Sequence, residues 1–315
     1  MTLFGRNRPT EIEAERAHRR RWTLIPGVVV LVCVVVGLVS TIGAYHTHEA
    51  TIRQAYPAGI DKIVLESPGD LDVSTTPADQ ATADWETHWN YRRPTINRAI
   101  DGHTMRLSLN CSYSVGVECY ADLRLAVPKG VALDVNARSG DISVRGVSGP
   151  VSVNNDSGDV RLERIGGDVN VMNKSGTVRL DGIAGDLTAE NRSGDIRGEN
   201  LRARVARLET KSGDVRAEFA SIPSQVTARS ASGDAKVLVP EGTGPYRVDS
   251  EVKSGDVETR VRTDPSARNT ITVTTKSGDV YVGYTDHHAR PPTPPAPPTR
   301  PAPPTPPAPP ATRPS

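Results

Sequence analysis

The residues of this chain with most to offer chemically are carboxylates at a near-fixed spacing. Asp141, Asp159, Asp195, Asp214, Asp234, Asp256 and Asp279 each close a Ser-Gly-Asp triplet. The triplets begin at Ser139, Ser157, Ser193, Ser212, Ser232, Ser254 and Ser277. Ser175-Gly176-Thr177 fills the one gap, so the steps are 18, 18, 18, 19, 20, 22 and 23 residues. Two kinds of chemistry use such a row. Calcium-binding nonapeptide repeats also join a glycine-rich turn to Asp. Their pattern separates the final Gly from the Asp by one residue. Here Gly140, Gly158, Gly194, Gly213, Gly233, Gly255 and Gly278 directly precede their Asp, with one Gly per turn. The other chemistry is structural: Ser and Asp side chains cap local backbone donors in tight turns. The expectation is a structural ridge with no cofactor, and calcium is the alternative. Arg138, Lys174, Arg192, Lys211, Lys253 and Lys276 precede the serines and offset repulsion along the acidic row.

Other candidates are fewer. Trp85, Trp89 and Tyr91 fall on one face if residues 83–92 form a strand, beside Arg92 and Arg93. Such a stripe is either a binding surface for sugars or peptides or a plug at the end of a narrow core. Cys111 and Cys119 flank Val115-Gly116-Val117 and suit a hairpin disulfide in an oxidising compartment. A metal pair is the weaker reading, because no nearby His or second Cys pair completes a site. His46, His48, His287 and His288 are weakly specific metal candidates in linkers. A polysaccharide-cleaving β-helix would gather its acids at one place, whereas these are periodic. No nucleophile elbow or phosphate-cradling loop is present. The reading is therefore not an enzyme.

The elements that must position these residues follow from the repeat. In Ser157–Ile165, Val160 and Leu162 alternate with Arg161 and Glu163, the period of a half-buried strand. Midway turns at Ser148-Gly149-Pro150, Gly166-Gly167-Asp168 and Ala184-Gly185-Asp186 make the unit nine residues, one short strand plus one tight turn. Two units make a coil. A short fixed period of turn residues marks a stacked, quasi-one-dimensional fold. The fold class is all-β, a β-solenoid of about 18-residue coils, preceded by one transmembrane helix. About eight coils at ~4.8 Å give a rod on the order of 40 Å long. The lengthening steps predict larger loops toward the C-terminus.

Composition divides the chain of 315 residues. Residues 1–22 are polar and Arg-rich, a cytoplasmic N-terminus. Residues 23–45 are apolar without a charge, long enough to cross a bilayer. The preceding arginines orient the N-terminus inward. A cleaved signal peptide is the alternative, but the polar lead and the apolar run are both long for one. Residues 46–59 read as a juxtamembrane linker, 60–137 as an irregular β start that caps the solenoid, and 138–284 as the Ser-Gly-Asp solenoid. Residues 285–315 are a Pro-rich tail with fourteen prolines, a composition for extended polyproline II rather than a core. The net charge of +1 makes no case for nucleic acid.

Cys119, Leu123, Leu125, Val127-Pro128-Lys129-Gly130-Val131, Val135 and the Ser-Gly-Asp series to Asp279 together resemble a bacterial family of adhesin-like β-repeat proteins of unknown function. That family is similar to adhesin-head domains and to extracytoplasmic repeat domains of membrane proteins linked to envelope-stress signalling. The resemblance implies a membrane-anchored β-solenoid outside the cell and no reaction. The expected work is adhesin-like display or binding, toward a cell-surface glycan or an envelope protein. An accessory role in envelope-stress sensing is the second reading, and a polysaccharide-processing β-helix the third.

Overall fold

The computed structural model describes residues 33–34, 48–67, 69–90, 92–110, 119–242 and 244–285. Residues 23–45, apart from 33 and 34, lie outside this set, as do the N-terminal 22 residues and all but Thr285 of the tail. No helix among the described residues is long and apolar enough to cross a membrane.

The alternation read from the sequence becomes burial. Val160 and Leu162 are buried, and Arg161 between them is exposed. The described residues form β1 (His48–Ala55), β2 (Lys62–Ser67), β3 (Leu71–Thr76), β4 (Thr82–Trp89), β5 (Thr95–Asp101), β6 (Thr104–Asn110), β7 (Cys119–Pro128), β8 (Ala132–Ala137), β9 (Ile142–Arg145), β10 (Val151–Asn155), β11 (Val160–Glu163) and β12 (Val169–Ser175). They continue with β13 (Val178–Asp181), β14 (Leu187–Ser193), β15 (Ile196–Leu201), β16 (Val205–Ser212), β17 (Val215–Phe219), β18 (Gln225–Ser232), β19 (Ala235–Val239), β20 (Arg247–Ser254), β21 (Val257–Thr259), β22 (Thr270–Ser277) and β23 (Val280–Tyr284).

Each coil contributes one strand to each of two facing sheets. The first sheet runs β1-β4-β7-β3-β9-β11-β13-β15-β17-β19-β23-β21. The second runs β20-β22-β18-β16-β14-β12-β10-β8-β2-β6-β5. Coil neighbours pair in parallel and in register, as Val160 with Val178 and Val169 with Leu187, with a shift between Gly198 and Leu201 where β15 pairs with β17. Twelve strands at ~4.8 Å make a stack about 50 Å long, longer than eight coils predict because the parallel strands β3 and β7 and the antiparallel β1 and β4 extend one end. The thin interior holds rows of Val, Leu, Ile and Ala. Val147, Ile165 and Ile183 close one side of it at the midway turns.

Two features depart from the sequence reading. Residues 48–55, read as linker, form β1, which pairs antiparallel with β4. Their alternating Ile52 packs partly against the core, which a linker would not do. The stack also abandons chain order at both ends. The β2–β3 coil sits between β6–β7 and β8–β9, and β22–β23 sits between β18–β19 and β20–β21. A parallel coil of matched length and register fits any such slot, so sequence spacing alone cannot rank them.

Candidate functional site

The turn ridge is assembled from one glycine, one carboxylate and one buried polar side chain per coil. Gly140, Gly158, Gly176, Gly194, Gly213, Gly233, Gly255 and Gly278 all have positive φ, from 108° to 137°. A second constraint acts on them: a Cβ on Gly194 would overlap the Gly176 carbonyl of the adjacent coil. The midway Gly167 and Gly185 answer to that constraint alone, since a Cβ on either would overlap backbone of the preceding coil.

The aspartates stack along this ridge, and their bonds run between coils. The Asp159 N–H donates to Asp141 Oδ1 at 2.8 Å, and the Thr177 N–H donates to Asp159 Oδ1 at 2.8 Å. After that interruption the row resumes. Asp214 donates to Asp195 at 3.0 Å, Asp234 to Asp214 at 2.9 Å, Asp279 to Asp234 at 2.8 Å and Asp256 to Asp279 at 2.9 Å. Asp70 extends the row at the other end, accepting from the Asp141 N–H at 2.9 Å. The sequence reading assigned these carboxylates to local turn donors. The correction is that each, apart from Asp256 in the coil that ends the stack, caps the next coil, because parallel stacking places that N–H directly over the carboxylate. The Thr177 N–H is the first cause, and the Arg179 guanidinium the second, that hold the Asp159 carboxyl below its usual range. Among the described residues, no group of three or more His, Cys, Asp or Glu stands where one metal ion could be held.

The sequence reading missed a buried polar row two residues before the Ser in most coils. Asn191 Nδ2 donates to the Gly176 carbonyl at 2.8 Å, and Asn173 Nδ2 to the Gly158 carbonyl at 3.3 Å. In later coils hydroxyls take over: Thr210 to Gly194 at 3.0 Å, Ser230 to Gly213 at 2.9 Å and Thr275 to Gly233 at 2.9 Å. The signal was present as Asn, Thr or Ser recurring at that offset. Ala137 and Val252 break the pattern, and the Val252 coil cannot supply the bond to Gly233 that Thr275 makes. That coil occupies the end of the stack.

The outer faces differ in character. On the first sheet Arg161, Arg179, Arg197 and Arg216 lie in register on four adjacent strands, followed by Lys236 and Tyr281. Glu163, Asp181 and Glu199 form a parallel acidic row. Arg161 pairs with Glu163 of that row and Arg216 with Glu218 at 3.3 Å, while Arg179 and Arg197 turn to ridge aspartates, Asp159 at 2.7 Å and Asp195 at 2.9 Å. Arg161 first, then Arg145 and Arg164, hold the Glu163 carboxyl below its usual range. The second sheet presents Ser152, Asn170, Thr188, Arg207, Thr227 and Thr272 in one mostly uncharged row, with Glu190, Glu209 and Arg229 in the next outward row. Along its margin an open groove of ≈ 440 Å³ is lined by Lys62, Asp134, Asp168 and Asp186. Lys62 pairs with Asp134 at 3.6 Å.

The aromatic stripe divides. Trp85 is fully buried at the antiparallel end of the core, the position of a plug. Trp89 is half-buried and stacks on His48 with ring centres 5.7 Å apart. Tyr91 lies outside the described residues. Cys119 is disulfide-bonded, and Cys111 lies outside the described residues, as do His46, His287 and His288.

Three solved structures are similar at low identity. One is a candidate cell adhesion protein from Clostridium sporogenes, with 10% identity over 76% of this chain and 100% of that one, at a TM-score of 0.24. The second is a candidate adhesin from Bacteroides fragilis, with 17% identity, 75% and 97% coverage and a TM-score of 0.40. The third is a candidate adhesin from Parabacteroides merdae, with 11% identity, 76% and 96% coverage and a TM-score of 0.25. No curated protein matches the chain. The profile of the family described as Toastrack DUF4097 matches residues 61–283, the span from the first coil strand to the last, and the chain belongs to that family.

Proposed function

We propose that this protein is a single-pass membrane protein, anchored through residues 23–45 with its N-terminus in the cytoplasm, whose β-solenoid stands outside the cell as an adhesin-like binding surface and catalyses no reaction. The observation that carries the reading is the repetition of one side-chain chemistry across adjacent strands. The Arg161, Arg179, Arg197 and Arg216 row recurs at the ~4.8 Å strand spacing beside its acidic row. A face of this kind offers the same contact many times along one direction. It suits an extended ligand, a cell-surface glycan or a segment of an envelope protein, better than a compact small molecule. The inter-coil bonds beneath it keep the rows in register, so a ligand meets a surface already ordered, which lowers the entropic cost of binding.

The test uses cells producing the full chain and cells lacking it, compared for retention on surfaces coated with cell-wall glycan or with envelope protein. Retention should depend on the chain and fall when Arg179→Glu and Arg197→Glu reverse the centre of the basic row. Equal retention with and without the chain on every surface would refute the reading.

A further inference from the structure

The corner of the first sheet where the described chain begins carries a concentration of aromatic and basic side chains. His48 opens β1, Trp89 closes β4 and Cys119 opens β7, and these three strand ends lie side by side. Both faces of the corner are aromatic. His48 stacks on Trp89, and Arg93 lies with its Cζ 5.6 Å from the Trp89 ring centre. His88 stacks on Tyr120 with ring centres 4.7 Å apart, and Tyr120 is 42% exposed. Arg92 and Arg93 are both exposed. The same corner holds Glu49, whose carboxylate lies 3.6 Å from His88 Nδ1, and farther along these strands Arg53 pairs with Asp84 at 2.6 Å.

Chain length fixes where this corner stands if residues 23–45 span the bilayer. Three residue steps separate residue 45 from His48. They reach about 10 Å at full extension. The headgroup layer on each side of the hydrocarbon is roughly 5–8 Å thick. The start of β1 is therefore tethered in or directly over that layer. Trp and Tyr concentrate at the membrane–water boundary because an apolar ring body and a polar tip match it. Exposed arginines add attraction to anionic lipid within a Debye length.

We propose that this corner, formed by His48, His88, Trp89, Arg92, Arg93 and Tyr120, rests in the lipid headgroup layer and fixes the tilt of the solenoid on the membrane. The inference rests on the anchor reading above. It gives the aromatic cluster that the core leaves unburied a defined occupant.

The test reconstitutes the full chain in vesicles of phosphatidylcholine and phosphatidylglycerol whose acyl chains carry bromine near the headgroup end. The chain has three tryptophans, Trp22, Trp85 and Trp89. A Trp22→Phe variant retains the buried Trp85 and the corner Trp89. Its emission should fall in brominated vesicles relative to unbrominated ones. The Trp22→Phe, Trp89→Phe double variant, which keeps only Trp85, should lose none. Equal emission of the single variant in both vesicles, from protein that stays with the vesicles at alkaline pH, would overturn the corner's placement while leaving the anchor intact. Release of the protein at alkaline pH would overturn the anchor, and this inference with it.

Discussion

Three glycine-to-alanine substitutions separate the two demands that the coil turns make. Gly182 has φ +66°, and the nearest atom to an added Cβ would be 3.7 Å away. Gly182→Ala therefore tests left-handed backbone alone and should cost about 1–2 kcal/mol. Gly185 has no positive φ, but its Cβ would overlap Gly167 backbone. Displacing that turn weakens the Asp186 N–H bond to Asp168 at 2.9 Å and the Val169 N–H bond to the Asp186 carbonyl at 2.9 Å. Two such bonds are worth about 1–3 kcal/mol together. Gly194 combines both demands, with φ +118° and a Cβ driven into the Gly176 carbonyl. Its strain of about 1–3 kcal/mol adds to damage at three bonds. These are the Gly194 N–H to the Ser212 carbonyl at 2.7 Å, Asn191 to Gly176 at 2.8 Å and Thr210 to Gly194 at 3.0 Å. Gly194→Ala should cost about 3–5 kcal/mol. Hydrogen exchange suits the measurement because stacked coils open locally as well as globally. The predicted order is Gly194 worst, then Gly185, then Gly182, with the loss of protection centred on the substituted coil. If Gly194→Ala proved no worse than Gly182→Ala, close approach of backbone between coils would not be what selects glycine.

Asn191→Ala removes the donor to Gly176 and should lower stability by about 1–3 kcal/mol in a thermal or urea melt. Asn191→Thr should cost far less, because Thr210 fills the equivalent position in the adjacent coil, whereas the Asn191 Oδ1 is buried with no partner among the described residues. Acid should expose the ridge. The Asp159 carboxyl is depressed in the folded state, so its contribution is complete above the unfolded value of about 3.9 and is lost as pH falls through the folded value. Asp159→Asn should therefore flatten the acid limb of a stability–pH curve, and an unchanged limb would refute the assignment. Chelator should leave the melting temperature unchanged, and a large calcium-dependent rise would restore a metal role for the ridge, because binding to the native state alone stabilises by mass action.

The sequence carried the coil legibly because its determinants are local. Gly158 and Gly194 mark turns, and alternation at Val160 and Leu162 marks an inward face, whatever lies next to them. What it hid depends on neighbours across the stack. The carboxylate of Asp159 bonds Thr177, eighteen residues away, and nothing in the triplet distinguishes that from a local cap. The order of the last coils was hidden for the same reason. β1 was obscured because His48–Ala55 is largely exposed and its alternation is weak. The aromatic stripe was half legible. Trp85 and Trp89 share a parity, but only the former reaches the core, since Trp89 lies at the strand end.

The central claim is that the solenoid lies outside the cell on a membrane anchor, and thiol labelling of intact cells tests it most directly. Met172 is 50% exposed on the outer face of the second sheet, away from the ridge. In a Met172→Cys variant of the full chain, a membrane-impermeant maleimide added to intact cells should label position 172 as fully as it does after lysis. Labelling that appears only after lysis would place the solenoid inside the cell and contradict the account.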